Sequence, residues 1–140
     1  MLGELLPGDG AEPAELDLMR IDGVDETSVK YIGESLLGYA FFPKGLIGEL
    51  PDYEGRVRAF VVLEESPEAA AATLEAYTTY LRKEEIALTE VPLAAGKAIQ
   101  GKDPLYGPMV ALQSGARLLG VLGIEDAKAA GSILSKLAAR

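Results

Sequence analysis

The chain contains no cysteine and no histidine. Without cysteine there is no disulfide framework, no thiolate nucleophile and no Cys-ligated metal, and redox logic leaves cytoplasm and periplasm equally open. Without histidine the commonest general base is missing, together with imidazole-ligated zinc and haem and the Ser-His and Cys-His nucleophile pairs. The chemistry left to the chain is carboxylate pairs, Ser-Lys couples and oxygen-ligand metal sites.

Basic residues are scarce as well. Thirteen Lys and Arg stand against 22 Asp and Glu, a formal charge of -9. Affinity for a phosphate backbone comes from cations displacing condensed counterions, so a nucleic-acid partner is not expected. The same acidity argues against docking on an anionic membrane surface, and no apolar run approaches the roughly 18 to 20 residues that span a bilayer. Met1 to Leu6 lacks both a basic n-region and a continuous apolar core, so no signal peptide is read there.

What is present is an ordinary globular composition. At 140 residues, with 49% hydrophobic and 25% charged residues, the chain suits one domain that buries most of its unfolded surface. Residues 1–17 carry Pro7, Gly8, Gly10 and Pro13 among acids and read as a linker-like lead-in. The domain is assigned to 18–140.

Within it, Leu18 to Ile21 reads as a short strand, and the turn and cap residues of 22–28 lead into a short helix at about 28–37. Leu46 to Leu50 and Arg56 to Leu63 flank the turn-rich Pro51-Asp-Tyr-Glu-Gly55 and form a hairpin. Ser66-Pro67-Glu68 supplies an N-cap, a proline at the first helical position and an acid in the first turn. A helix follows from Pro67 to about Lys83, with Ala70, Leu74, Tyr77 and Leu81 along one side. Ile86 to Leu93 and Lys97 to Gln100 are strands, and Pro108 to Gln113 with Arg117 to Leu122 surround the hairpin signal Ser114-Gly115. A last helix begins near Glu125-Asp126, with Ala130, Ile133, Leu134 and Leu137 facing inward.

An offset of sixty residues superposes Phe60-Val-Val-Leu on Gly120-Val-Leu-Gly, and Ala70, Leu74 and Tyr77 on Ala130, Leu134 and Leu137. The chain thus reads as two hairpin-then-helix units. Burying both helix stripes on one face of a shared antiparallel sheet gives an α+β two-layer sandwich.

Most local motifs carry no chemistry. Glu64 and Glu65 are neighbours on an extended chain, so they point to opposite faces and suit capping better than a shared proton or cation. Asp22-Gly-Val-Asp-Glu26 is not an EF-hand, because position 12 counted from Asp22 is Gly33 rather than a closing Glu. No Gly-x-Gly-x-x-Gly run opens a helix and no Walker lysine occurs. No catalytic residue, cofactor or metal ligand is therefore assigned.

Two segments stand out as candidate ligand-binding surface. Tyr39, Phe41 and Phe42 lie among Gly33, Gly38 and Gly45, with Lys44 placed to hold an anionic ligand at a pocket mouth; the same cluster reads more readily as core in a chain without tryptophan. In Gly101-Lys-Asp-Pro-Leu-Tyr-Gly-Pro108, the polar groups Lys102, Asp103 and Tyr106 sit in a loop stiffened by proline and hinged by glycine. Here the alternative is a pair of tight turns, with Tyr106 covering a core edge. Tyr39, Phe42, Lys44, Lys102, Asp103 and Tyr106 are the candidate site residues.

Four stretches together resemble a known family: Lys30-Tyr-Ile with Leu37-Gly-Tyr-Ala-Phe-Phe-Pro-Lys-Gly45, Ala59-Phe-Val-Val with Glu65-Ser-Pro-Glu-Ala-Ala70, Lys102 to Pro108, and Gly120-Val-Leu-Gly before an acid and an Ala-rich helix. Over about residues 28–138 they resemble the C-terminal half of an uncharacterised bacterial domain family of unknown function, often exported or lipid-anchored and roughly twice this long. The resemblance implies periplasmic or other extracytoplasmic residence and supplies no activity and no catalytic residue. The family's N-terminal half has no counterpart here.

Three functional readings follow. The first is a non-enzymatic binding or accessory domain for an unidentified small molecule or protein, with an open groove between 39–44 and 102–106. The second is a structural module that self-associates as a homodimer through a sheet edge or helix face, with a filled core and no ligand site. The third is an enzyme working through Lys102, Asp103 and Tyr106.

Overall fold

The computed structural model describes residues 16–53 and 55–140. Most of the expected lead-in lies outside the described residues.

A seven-stranded antiparallel sheet forms the middle of the molecule. Its strands are β1 (Lys30–Ile32), β2 (Gly45–Glu49), β3 (Arg58–Leu63), β4 (Thr89–Leu93), β5 (Gly96–Asp103), β6 (Gly107–Ser114) and β7 (Arg117–Leu122), in spatial order β1-β2-β3-β7-β6-β5-β4. Helix α1 (Pro67–Lys83) follows β3 and helix α2 (Ala127–Ala138) follows β7. The expected α+β class and antiparallel sheet are what the chain forms, and the hairpins at 46–63 and 108–122 pair as the turn signals suggest.

Side chains alternate across the central strands and build two separate half-cores. Ala59, Val61, Val110, Leu112, Leu119 and Val121 face α2 through Ala130, Ile133, Leu134 and Leu137. Phe60, Val62, Met109, Ala111, Leu118 and Leu122 face the other way, onto Tyr77 and Leu81 of α1. The expected two-layer arrangement with both helices on one face is therefore corrected: one helix covers each face. Each stripe was legible, but a stripe marks only which side of a helix is apolar. Two-sided burial agrees with strands that are continuous apolar runs over 59–62 and 118–122.

β3 and β7, the strands that the offset of sixty superposes, pair antiparallel, with Phe60 opposite Gly120. The N-caps also match at this offset: Ser66 Oγ accepts from Ala69 N at 3.1 Å, and Asp126 Oδ1 accepts from Lys128 N at 2.9 Å. The two units part at the strand ends. Gly123, the counterpart of Leu63, has φ +93°, and a Cβ there would lie 2.2 Å from the Arg56 carbonyl oxygen. Only glycine takes that left-handed turn at so close an approach, and from there the chain runs to the opposite face.

Two early expectations are also corrected. Leu18 to Ile21 is no strand: Asp17–Met19 is a 3-10 turn that buries Met19. No helix spans 28–37; a 3-10 turn at Glu26–Ser28, strand β1 and a second 3-10 turn at Leu36–Gly38 take its place. Ser35 and Leu37 adopt φ of 53° and 62°, values that an α-helix cannot accommodate. The turn buries Leu36 and Leu37 against the α1 face of the sheet.

Candidate functional site

The end of β5 and the 36–43 segment converge beside α1. Asp103 closes β5 and is 3% exposed. Its Oδ1 accepts from the backbone N–H of Leu105 at 2.7 Å and of Tyr106 at 3.0 Å, which folds the 103–106 turn. Tyr39 donates its hydroxyl to both carboxylate oxygens at 2.8 and 2.9 Å, and Tyr77 donates to Oδ2 at 2.6 Å. Tyr106 donates its hydroxyl to the Leu37 carbonyl at 2.5 Å, pinning the left-handed turn.

Around this carboxylate the rings pack on one another. Tyr39 stacks on Phe41 with centroids 5.0 Å apart and meets Phe42 edge-on at 5.8 Å. Phe42 reaches Tyr77 at 5.2 Å and Phe60 at 5.9 Å. These separations are those of favourable aromatic pairs. The aromatic segment is a corner of the core, and as placed Tyr39, Phe42 and Asp103 present almost no surface. Burial, and then the adjacent Asp103 carboxylate, push the Tyr39 and Tyr77 phenols far above their ordinary range. Both hydroxyls are therefore fixed donors rather than acids.

The structure thus gathers Tyr39, Phe42, Asp103 and Tyr106 and leaves the two lysines apart. Lys44 is exposed on the approach to β2. Lys102 points to the opposite face from Asp103, as strand alternation requires, and its ammonium lies 3.5 Å from the Glu125 carboxylate. Both partners are well exposed, and such a pair contributes about 1 kcal/mol or less.

Lys102 borders an open groove of about 520 Å³, lined by Ile86, Ala87, Gln100, Gly101, Pro108 and Glu125, with Glu85 and Thr89 at its rim. The groove exists because β4 pairs with β5 only as far as Thr89 opposite Gln100. Beyond that point residues 85–88 lift away while Gly101 and Lys102 continue. A Cβ at Gly101 would come within 2.8 Å of Leu88 Cδ2 and 3.0 Å of the Ala87 carbonyl oxygen, so the bare glycine lets this wall pack close. Gln100 Nε2 donates to the Glu125 carbonyl at 2.8 Å and ties the turn before α2 to the same strand.

One rim residue is strained. Ile86 N–H donates to the Leu81 carbonyl at 2.9 Å and Glu85 N–H to the Arg82 carbonyl at 3.0 Å. This is a Schellman ending to α1, whose left-handed position usually holds glycine. Here it holds Glu85 at φ 62°. Sequence reading passed over Glu85, Gln100, Pro108 and Glu125; an acid where a helix stop calls for glycine was the available signal. It also found Tyr77 as an inward stripe residue without its hydroxyl partner, since Asp103 lies 26 residues away.

No protein-family model, curated protein or solved structure matches this chain.

Proposed function

We propose that the chain is a non-enzymatic binding domain whose small-molecule ligand occupies the groove beside Lys102. The observation that carries this reading is the groove itself. Its volume of about 520 Å³ falls in the range of small-ligand sites. Its lining sets apolar Ile86, Ala87 and Pro108 beside a few polar groups: Lys102, Gln100, Thr89 and Glu85. Glu85 adds support, because a strained non-glycine residue at a helix stop costs stability and such costs concentrate at functional positions. The Tyr39–Asp103–Tyr77 assembly serves from behind, holding the end of β5 so that Lys102 faces the groove. In this reading Tyr39, Phe42, Asp103 and Tyr106 position the site and Lys102 contacts the ligand.

Self-association through a sheet edge draws less support. Edge strand β1 has three residues and begins with exposed Lys30, and edge strand β4 carries exposed Glu90 and Pro92, both devices that discourage edge pairing. The resemblance to the exported bacterial family, and the extracytoplasmic residence it implies, stand beside this reading on the four quoted stretches alone.

Native mass spectrometry over a dilution series tests the proposal. A copurified small-molecule mass that is lost in Lys102→Ala and Ala87→Trp proteins supports it. A bare chain forming a dimer that dissociates on dilution contradicts it and favours the assembly reading.

A further inference from the structure

A second pocket, on the other half of the sheet, concentrates positive charge in a chain whose formal charge is -9. It has a volume of about 90 Å³ and is lined by Lys30, Ile47, Gly48, Glu49, Arg56 and Arg58, with Ser28 at its edge. Register explains the convergence. Lys30 pairs with Ile47 across β1 and β2, and Glu49 pairs with Arg58 across β2 and β3. Lys30, Ile47, Glu49 and Arg58 therefore project from the α1 face, beyond the area that the 36–43 segment covers.

The charges there do not balance. Among the described residues Glu49 is the one acid of the lining, and its carboxylate lies 3.9 Å from a guanidinium nitrogen of Arg56. Among the described residues, three cations and one carboxylate leave a formal excess of two positive charges. Arg58 is fixed in place, its guanidinium carbon 5.1 Å from the centroid of the Tyr106 ring. Its Nε is buried and has no acceptor among the described residues. A buried donor without a partner costs free energy, and a guanidinium's planar fork is matched to the oxygens of a carboxylate or phosphate. Burial, and then the like charge of Arg56, hold the Arg58 guanidinium below its ordinary value, with Tyr106 and Glu49 acting the other way.

We propose that this pocket binds a phosphate group, presented as a phosphate monoester, between Arg58, Arg56 and Lys30. The excess of two charges matches a dianion. The volume of about 90 Å³ suits one tetrahedral oxoanion, and the body of a larger molecule would extend past Lys30 into solvent. The site shares no lining residue with the groove at Lys102.

Inorganic phosphate is the probe, followed through the Arg Nε–H signals in proton–nitrogen correlation spectra. The expected result is a saturable shift of the Arg58 Nε–H signal that sodium chloride at matched ionic strength does not reproduce. Arg56→Gln and Lys30→Gln, both at exposed positions, should each weaken binding about two- to fivefold, the scale of one exposed charge interaction. Ala87→Trp, in the groove, should leave the titration unchanged, which separates this site from the groove reading. Phenyl phosphate should bind at least as tightly as inorganic phosphate. The proposal is overturned if chloride or acetate shifts the signal as phosphate does, or if the Gln proteins titrate like the wild type.

Discussion

Tyr77→Phe removes one oxygen from a fully buried phenol–carboxylate contact. Tyr77 is fully buried and Asp103 is 3% exposed. The lost bond is a 2.6 Å contact from a phenol to a buried carboxylate. Hydrogen bonds to charged groups are worth about 1.5–3 kcal/mol net. The carboxylate keeps Tyr39 and the amides of Leu105 and Tyr106, so the expected cost is about 2 kcal/mol. Asp103→Ala goes further, stranding two phenols and two amides in a site closed to water; about 4 kcal/mol is expected, a large part of the usual 5–15 kcal/mol of a domain. Asp103→Asn should fall between the two, because it preserves shape while turning an acceptor towards the phenols into a donor. Urea unfolding followed by far-UV circular dichroism measures all three in a chain without tryptophan, and an unchanged m value keeps the comparison valid. If Tyr77→Phe costs less than about 0.5 kcal/mol, below the usual range for such a bond, the reasoning fails. If Asp103→Asn is more stable than the wild type, the carboxylate sits in the core at the expense of stability, and Asp103 returns as a functional residue.

Glu85→Gly should raise stability by about 0.5–1 kcal/mol by relieving the left-handed strain, a gain of a few degrees in Tm; no gain would refute the strain argument. Gly120→Ala should destabilise by about 1–3 kcal/mol, because its Cβ would lie 2.2 Å from the Phe60 ring, and Phe60→Leu in the same chain should recover part of that loss in thermal melts. Alkali should unfold the protein in a tyrosine-dependent way. Tyr39 and Tyr77 ionise well above their ordinary range in the folded state, through burial and then Asp103. Their contribution is present below the unfolded value of about 10 and is lost as pH rises beyond it. Melting temperatures between pH 8 and 11 should fall less steeply in Tyr77→Phe than in the wild type.

Local chemistry made much of the scaffold legible. Ser66, Pro67 and Glu68 announced α1 to the residue, and Asp126 did nearly the same for α2. The 28–37 run deceived because its apolar spacing suits a helix, while Gly33, Ser35, Leu37 and Gly38 bend the backbone instead. Which face each helix covers is not marked by either stripe, and the left-handed Gly123 at the end of β7 is a feature that patterning does not weigh. The two segments chosen as a site do meet, and the turn expected from Asp103-Pro104 is real. Their meeting forms a closed core corner because the carboxylate finds its donors at Tyr39, 64 residues away, and at Tyr77, 26 away. Pairings at that separation leave no local trace. The groove was missed for a related reason: it arises where β4 stops pairing before β5 ends, and strand ends are poorly marked by alternation.

The most direct test of the account is amide chemical-shift mapping with a small-molecule fragment library. Fragments that bind should perturb Ile86, Ala87, Thr89, Gly101 and Lys102 while leaving Tyr39 and Phe42 unmoved. Shifts centred on Tyr39, Phe42 and Tyr106, with the groove residues silent, would contradict it and show that the aromatic corner opens to take the ligand.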